Sequence, residues 1–226
     1  MRIGIRVRRG GRQVRSATPA RGTGQALVEF ALVFPIFLVM LLGIIEFAFI
    51  FNAVLSANYA TRDASLIAAE AGSAAGADCV IMAKVLEDMR PPVDAANVSQ
   101  IIIYRAKPSG DPWNGSYSGS GNVWIRTTVP ADMTDCGPYG GSSSLPFKKT
   151  SNNYPEGLPN LQTGAGGRCN FLNGCSDNTM RTRDAIGVQM TYDYTWHTPL
   201  SNFANLGGGG GYTIVRSNEM RMEPIL

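Results

Sequence analysis

The chain has 226 residues, 44% of them hydrophobic and 16% charged, with a formal charge of +3, enough for one modest folded domain and an extension. The positive balance is local: Arg2, Arg6, Arg8, Arg9, Arg12, Arg15 and Arg21 precede Gly24 with no acidic residue among them, which leaves 13 of the 20 basic residues against 17 acidic ones. A nucleic-acid binder carries its cations on the folded domain beside stacking aromatics, so this pattern argues against nucleic acid as a partner.

Residues 1–24 read as a basic cytoplasmic leader. The most apolar stretch follows, FALVFPIFLVMLLGIIEFAFIF from Phe30 to Phe51, with one charge at Glu46. As a helix it would rise about 33 Å, enough to cross a hydrocarbon core of about 30 Å. Arginines on one flank alone predict a single pass with the amino end inside and everything from Asn52 outside. A cleaved signal peptide is the bland alternative, with a small-residue cut near Leu55-Ser56-Ala57, but the apolar run is longer than such segments use. The lipid bilayer is therefore the first predicted partner.

Helix is expected to continue through the alanine-rich segment Asn52–Ala71. There Leu55, Tyr59, Leu66 and Ile67 fall near one face, and Asn58, Arg62 and Glu70 fall elsewhere. Gly72-Ser73-Ala74-Ala75-Gly76 is a weak point, and a second helix is expected from Asp78 to Met89, stopped by Pro91-Pro92. Residues 25–90 thus form the transmembrane helix and its extension, and 91–226 an exported β-rich domain.

Strands are predicted at Val98–Tyr104, Val123–Val129, Ile186–Trp196 and Tyr212 to about Met222. In the clearest of them Ile186, Val188, Met190, Tyr192, Tyr194 and Trp196 point one way, while Gln189, Thr191, Asp193, Thr195 and His197 point the other, as in an antiparallel sheet with one wet face. Residues 131–183 have little periodicity and read as a long surface excursion stapled by a disulfide. Cys79, Cys136, Cys169 and Cys175 all lie in the exported part, and an even count there predicts two disulfides. Cys169 with Cys175, and Cys79 with Cys136, is the preferred pairing, although spacing does not fix connectivity. The predicted class is α+β, a long N-terminal transmembrane helix followed by a small antiparallel β-sheet domain.

At the junction of leader and anchor the residues are Arg21-Gly22-Thr23-Gly24-Gln25-Ala26-Leu27-Val28-Glu29-Phe30. A carboxylate opening an apolar helix is disfavoured by a few kcal/mol unless paired or neutralised. A glycine followed by a glutamate five residues on resembles the type IV prepilin processing pattern. The wider run GQALVEFALVFPIFLVMLLGIIEFAFIF, with Leu55, Ala60-Thr61-Arg62 and Ala64, is similar to the TadE-like proteins of Tad (Flp) pilus systems, and the closing SNEMRMEPIL is similar to that family's last strand. The resemblance implies a pilin-like fold, and a prepilin peptidase cutting between Gly24 and Gln25. It also implies an assembly role for Glu29, which would meet the new amino terminus of its own chain or a neighbour. Glu46 matches the family's Gly-x-x-Glu-Phe at Gly43–Phe47 and is a candidate intramembrane polar contact, or a residue that snorkels to the outer interface. Other pilin-like subunits and Tad inner-membrane assembly proteins are the implied partners, and the inner membrane, or a pilus, the implied location. The excursion at 131–183 departs from the family.

Catalytic patterns are missing from the sequence. The glycines at 207–211 lack the Gly-Lys-Ser/Thr of a phosphate loop, and neither Gly-x-Ser-x-Gly nor His-Glu-x-x-His occurs. His197, the one histidine, reads as a solvated strand residue. Asp177, Asp184 and Asp193 have no calcium-loop spacing, and Asp63-Ala64-Ser65-Leu66-Ile67 lacks the second serine of an adhesion-type metal site. No enzyme activity, cofactor or metal is expected. The leading reading is a minor pilin or pseudopilin; the alternative is an exported binding or adhesion protein tethered by an uncleaved helix.

Overall fold

The computed structural model describes residues 23–107, 109–136, 144–157, 167–169, 184–199 and 211–222. The chain divides into two units, Met1–Leu41 and Leu42–Leu226. Helix α1 spans Thr23–Ala71. Its residues from Gly24 to Leu41 are all exposed, with Leu27, Phe30, Leu32 and Ile36 among them. Such an apolar surface belongs in lipid, where Pro35 inside the helix is also tolerated. The expected basic leader lies outside the described residues.

The second unit begins inside α1. One face of the helix is a stripe of small residues: Ala53, Ala57, Ala60, Ala64 and Ala68 are buried, with Thr61 and Ser65 beside them. Their spacing of three and four keeps them on one side of a 3.6-residue turn. Of the expected apolar face, Ile67 packs against the core, but Leu55 and Leu66 lie outward and Tyr59 is 62% exposed. Alanine lets the helix lie so close to the sheet that leucine or tyrosine would not fit between them. Asn218 fixes the approach, its amide donating to Thr61 Oγ1 at 2.7 Å and to the Asn58 carbonyl at 3.4 Å.

Gly72, at φ 53°, ends α1 in the left-handed conformation that suits glycine. Helix α2 follows at Ala77–Asp88. Its first residues bring no side-chain cap of their own; the Glu156 carboxylate accepts from the amides of Gly76 at 2.9 Å and Asp78 at 2.7 Å, a cap that also suits the helix dipole.

Among the described residues seven strands follow: β1 Val98–Ala106, β2 Gly121–Arg126, β3 Thr134–Asp135, β4 Ser144–Leu145, β5 Phe147–Asn152, β6 Ala185–Tyr194 and β7 Tyr212–Arg221. Five form an antiparallel sheet in the order β5-β2-β1-β6-β7, and β3 and β4 make a small ladder of their own. The architecture is α+β, as predicted. Ile101, Ile103, Ile186, Val188, Met190, Tyr192 and Tyr194 face the helices and share one core with the alanine stripe and with Ile81, Met82 and Val85 of α2. On the other face Ile102, Tyr104, Ala106 and Val123 are covered by Tyr117, whose ring meets Tyr104 edge-on at 4.9 Å. Gly187 lies opposite Tyr104, where an added Cβ would run into the phenol ring.

Three details depart from expectation. Strand β2 stops at Arg126, whose guanidinium turns back to the carbonyls of Val98 and Ala95 at 2.6 and 2.5 Å. Strand β6 stops at Tyr194, so Trp196 and His197 sit in the turn beyond it. The span 131–183 contributes an edge strand, β5, and buried residues Phe147, Tyr154 and Arg168, rather than a surface loop alone. Phe147-Lys148-Lys149-Thr150 hid this strand because its lysines protect an open edge and break the apolar alternation. Cys79 and Cys136 form a disulfide. Cys169 is also disulfide-bonded, while Cys175 lies outside the described residues.

Candidate functional site

The start of α1 carries the first candidate group. Gly24 has open surroundings: a Cβ there would meet nothing within 4 Å, so no contact among the described residues demands glycine. Gln25 Nε2 donates to Glu29 Oε1 at 3.0 Å, one helical turn on, and both residues are exposed. The Phe30 and Phe34 rings follow at 5.2 Å. Chemically this is a carboxylate at the mouth of an apolar helix, and among the described residues its hydrogen-bond partner is a neutral amide.

Glu46 is different. It is 2% exposed, the first buried residue of α1. Its carboxylate accepts from the Tyr194 hydroxyl, from the His197 amide at 3.2 Å and from the Thr198 amide at 2.8 Å. The His197 ring stacks on Phe49 with centroids 4.7 Å apart, and its Nδ1 lies 3.1 Å from the Tyr194 oxygen. Burial, and then the neighbouring Glu46 carboxylate, push the Tyr194 phenol up from its ordinary pKa, so it stays a donor at any physiological pH. The turn after β6 therefore clasps the helix: the chain leaves the strand at Tyr194 to bring two amides onto one carboxylate. Sequence reasoning missed Tyr194 and Thr198 as its partners and assigned His197 to a strand. The one available signal was a lone glutamate in an apolar run together with a histidine and two flanking threonines at a strand end.

A second buried polar group holds the far part of the domain together. Asp78 accepts from Asn122 Nδ2 at 2.7 Å, from Trp124 Nε1 at 3.3 Å and from the Arg168 guanidinium, with Lys149 Nζ at 3.8 Å. Tyr154 hands its hydroxyl proton toward Asp184 Oδ2 at 3.3 Å, and Arg105 pairs with the same carboxylate at 2.7 Å. These pairs tie α2, β1 and β2 to Tyr154, Arg168 and Asp184, which is a structural arrangement. Asp184 is engaged by Arg105, Tyr154 and the Cys169 amide. Asp193 stands exposed near Thr213, and Asp177 lies outside the described residues. Among the described residues no three His, Cys, Asp or Glu side chains gather as metal ligands would.

No curated protein and no solved structure gives a significant match to this chain. The stretch that contains Gly24, Glu29, Glu46 and most of the alanine stripe, residues 24–66, matches the model of the TadE-like protein family.

Proposed function

We propose that this chain is a membrane-anchored pseudopilin-type structural subunit of a Tad (Flp) pilus assembly or secretion apparatus, and not an enzyme. The TadE-like match supports a Tad-pilus-associated component of this type. Among the described residues one apolar helix, Gly24–Ala71, is long enough to cross a membrane, which supports an anchor. In this reading the basic leader stays in the cytoplasm, a prepilin peptidase cuts between Gly24 and Gln25, and the disulfide-bearing domain lies on the far side of the inner membrane. Other pilin-like helices are its partners.

The observation that carries this reading is Gly24. Glycine within a helix is about 1 kcal/mol less favourable than alanine, and nothing among the described residues lies near enough to need it. A demand from outside the chain, such as the cleft of a peptidase that accepts no side chain, accounts for it. Cutting there would put an ammonium on Gln25 one turn from Glu29, replacing the neutral partner with a charged one.

Amino-terminal sequencing of protein extracted from native membranes tests this. The expected start is Gln25, and Gly24→Val should leave the leader attached. An intact amino end would leave a tethered binding protein instead, and a start near Ala57 would mean a signal peptide.

A further inference from the structure

Every residue of α1 from Gly24 to Leu41 is exposed, and Glu46 is the first to be buried. From Gly24 to Ile45 the helix rises about 33 Å at 1.5 Å per residue, already the thickness of a hydrocarbon core. The groups that meet Glu46 include the amides of His197 and Thr198, in a turn that is neither helix nor strand. Irregular backbone of this kind does not sit against lipid tails, because its remaining polar groups find no partners there. The span therefore ends at Ile45, although the apolar run continues to Phe51.

The end of the sheet at that level is aromatic. Tyr212 stands opposite Tyr194 in the β6–β7 register and is 58% exposed. Trp196 lies edge-on to Tyr194 with centroids 6.2 Å apart. On the helix Phe47 and Phe51 point outward, stacked at 6.3 Å. Tyrosine and tryptophan favour the headgroup layer, where an apolar ring and a polar tip are both satisfied. Residues 192–199 and 211–214 contain no lysine or arginine, so nothing there selects anionic headgroups.

We propose that the Tyr194–Tyr212 end of the sheet is a lipid-interface seat, holding the domain against the outer headgroup layer with Glu46 at the boundary. The seat rests on the membrane-anchor part of the reading above and is independent of leader cleavage.

The chain has three tryptophans: Trp196 at the seat, Trp113 in the β1–β2 connection and Trp124 in the core. The test uses full-length protein in vesicles of phosphatidylethanolamine and phosphatidylglycerol doped with phosphatidylcholine brominated at acyl carbons 6 and 7. Bromine should quench Trp113→Phe, which keeps Trp196, about twofold or more beyond Trp196→Phe, as an interfacial ring requires. Lowering the phosphatidylglycerol fraction should leave the difference unchanged. Equal quenching of the two variants, or a difference that needs anionic lipid, overturns the proposal. Should Trp196→Phe misfold, Trp113→Phe alone decides: bromine at carbons 11 and 12 should quench less than at 6 and 7, and the reverse order would put the ring in the hydrocarbon and overturn the boundary. Co-flotation of protein with vesicles checks the anchor separately, so a lost seat and a lost anchor give different results.

Discussion

Glu29 and Glu46 are the two carboxylates of an otherwise apolar helix segment, and the chain treats them oppositely. Glu46 is buried and accepts three hydrogen bonds from its own domain. Glu29 is exposed and accepts one hydrogen bond from a neutral amide at 3.0 Å. At the edge of a bilayer that is a poor arrangement for a charge, and a cation brought by a neighbouring subunit would improve it. Glu29→Gln should therefore leave membrane insertion and leader removal intact while reducing subunit crosslinking in native membranes about tenfold, the equivalent of roughly 1.4 kcal/mol. Glu29→Leu should insert better and crosslink no better than the amide. If both variants crosslink as the parent does, Glu29 is an interfacial residue and the pilin mechanism loses its physical support.

At the scale of elements, the sequence showed what had to be helix and strand better than how they pack. Long periodic segments were legible: β6 has the predicted alternation from Ile186 to Tyr194, and the break at Gly72–Gly76 separates α1 from α2. The packing face of α1 was not, because a hydrophobicity pattern ranks leucine above alanine, while close approach to a sheet ranks them the other way. The same reversal makes a test. Ala64→Leu would force three more heavy atoms into a filled layer and should destabilise the domain by about 2 kcal/mol. Tyr59→Ser, on the outward face, should change its stability by less than about 0.5 kcal/mol. Thermal unfolding followed by circular dichroism distinguishes them; if Ala64→Leu melts like the parent, the alanine stripe is not tightly packed. The polar ties, Asp78 with Arg168 and Asp184 with Arg105, were hidden for another reason: each joins residues far apart in sequence, and no local spacing announces them.

For the whole molecule, the question is where anchor stops and domain starts. A hydropathy profile puts that point after Phe51, whereas burial puts it at Glu46. A conventional signal-peptide cut near Ala57 would remove Glu46, Phe49 and Ala53, leaving the Tyr194 hydroxyl and the amides of His197 and Thr198 without their acceptor. Unpaired buried donors cost about 1–3 kcal/mol each, less whatever water can reach. A chain exported from Glu46 onward should therefore fold with its disulfides formed, and one starting at Ala57 should melt about 10 °C lower, as a loss near 3 kcal/mol implies for a domain of this size. Calorimetry on the two secreted forms measures the difference directly. Equal melting temperatures would mean that the clasp contributes nothing to the fold, that a signal-peptide product could be stable, and that the segment between Glu46 and Ala57 belongs to the anchor after all.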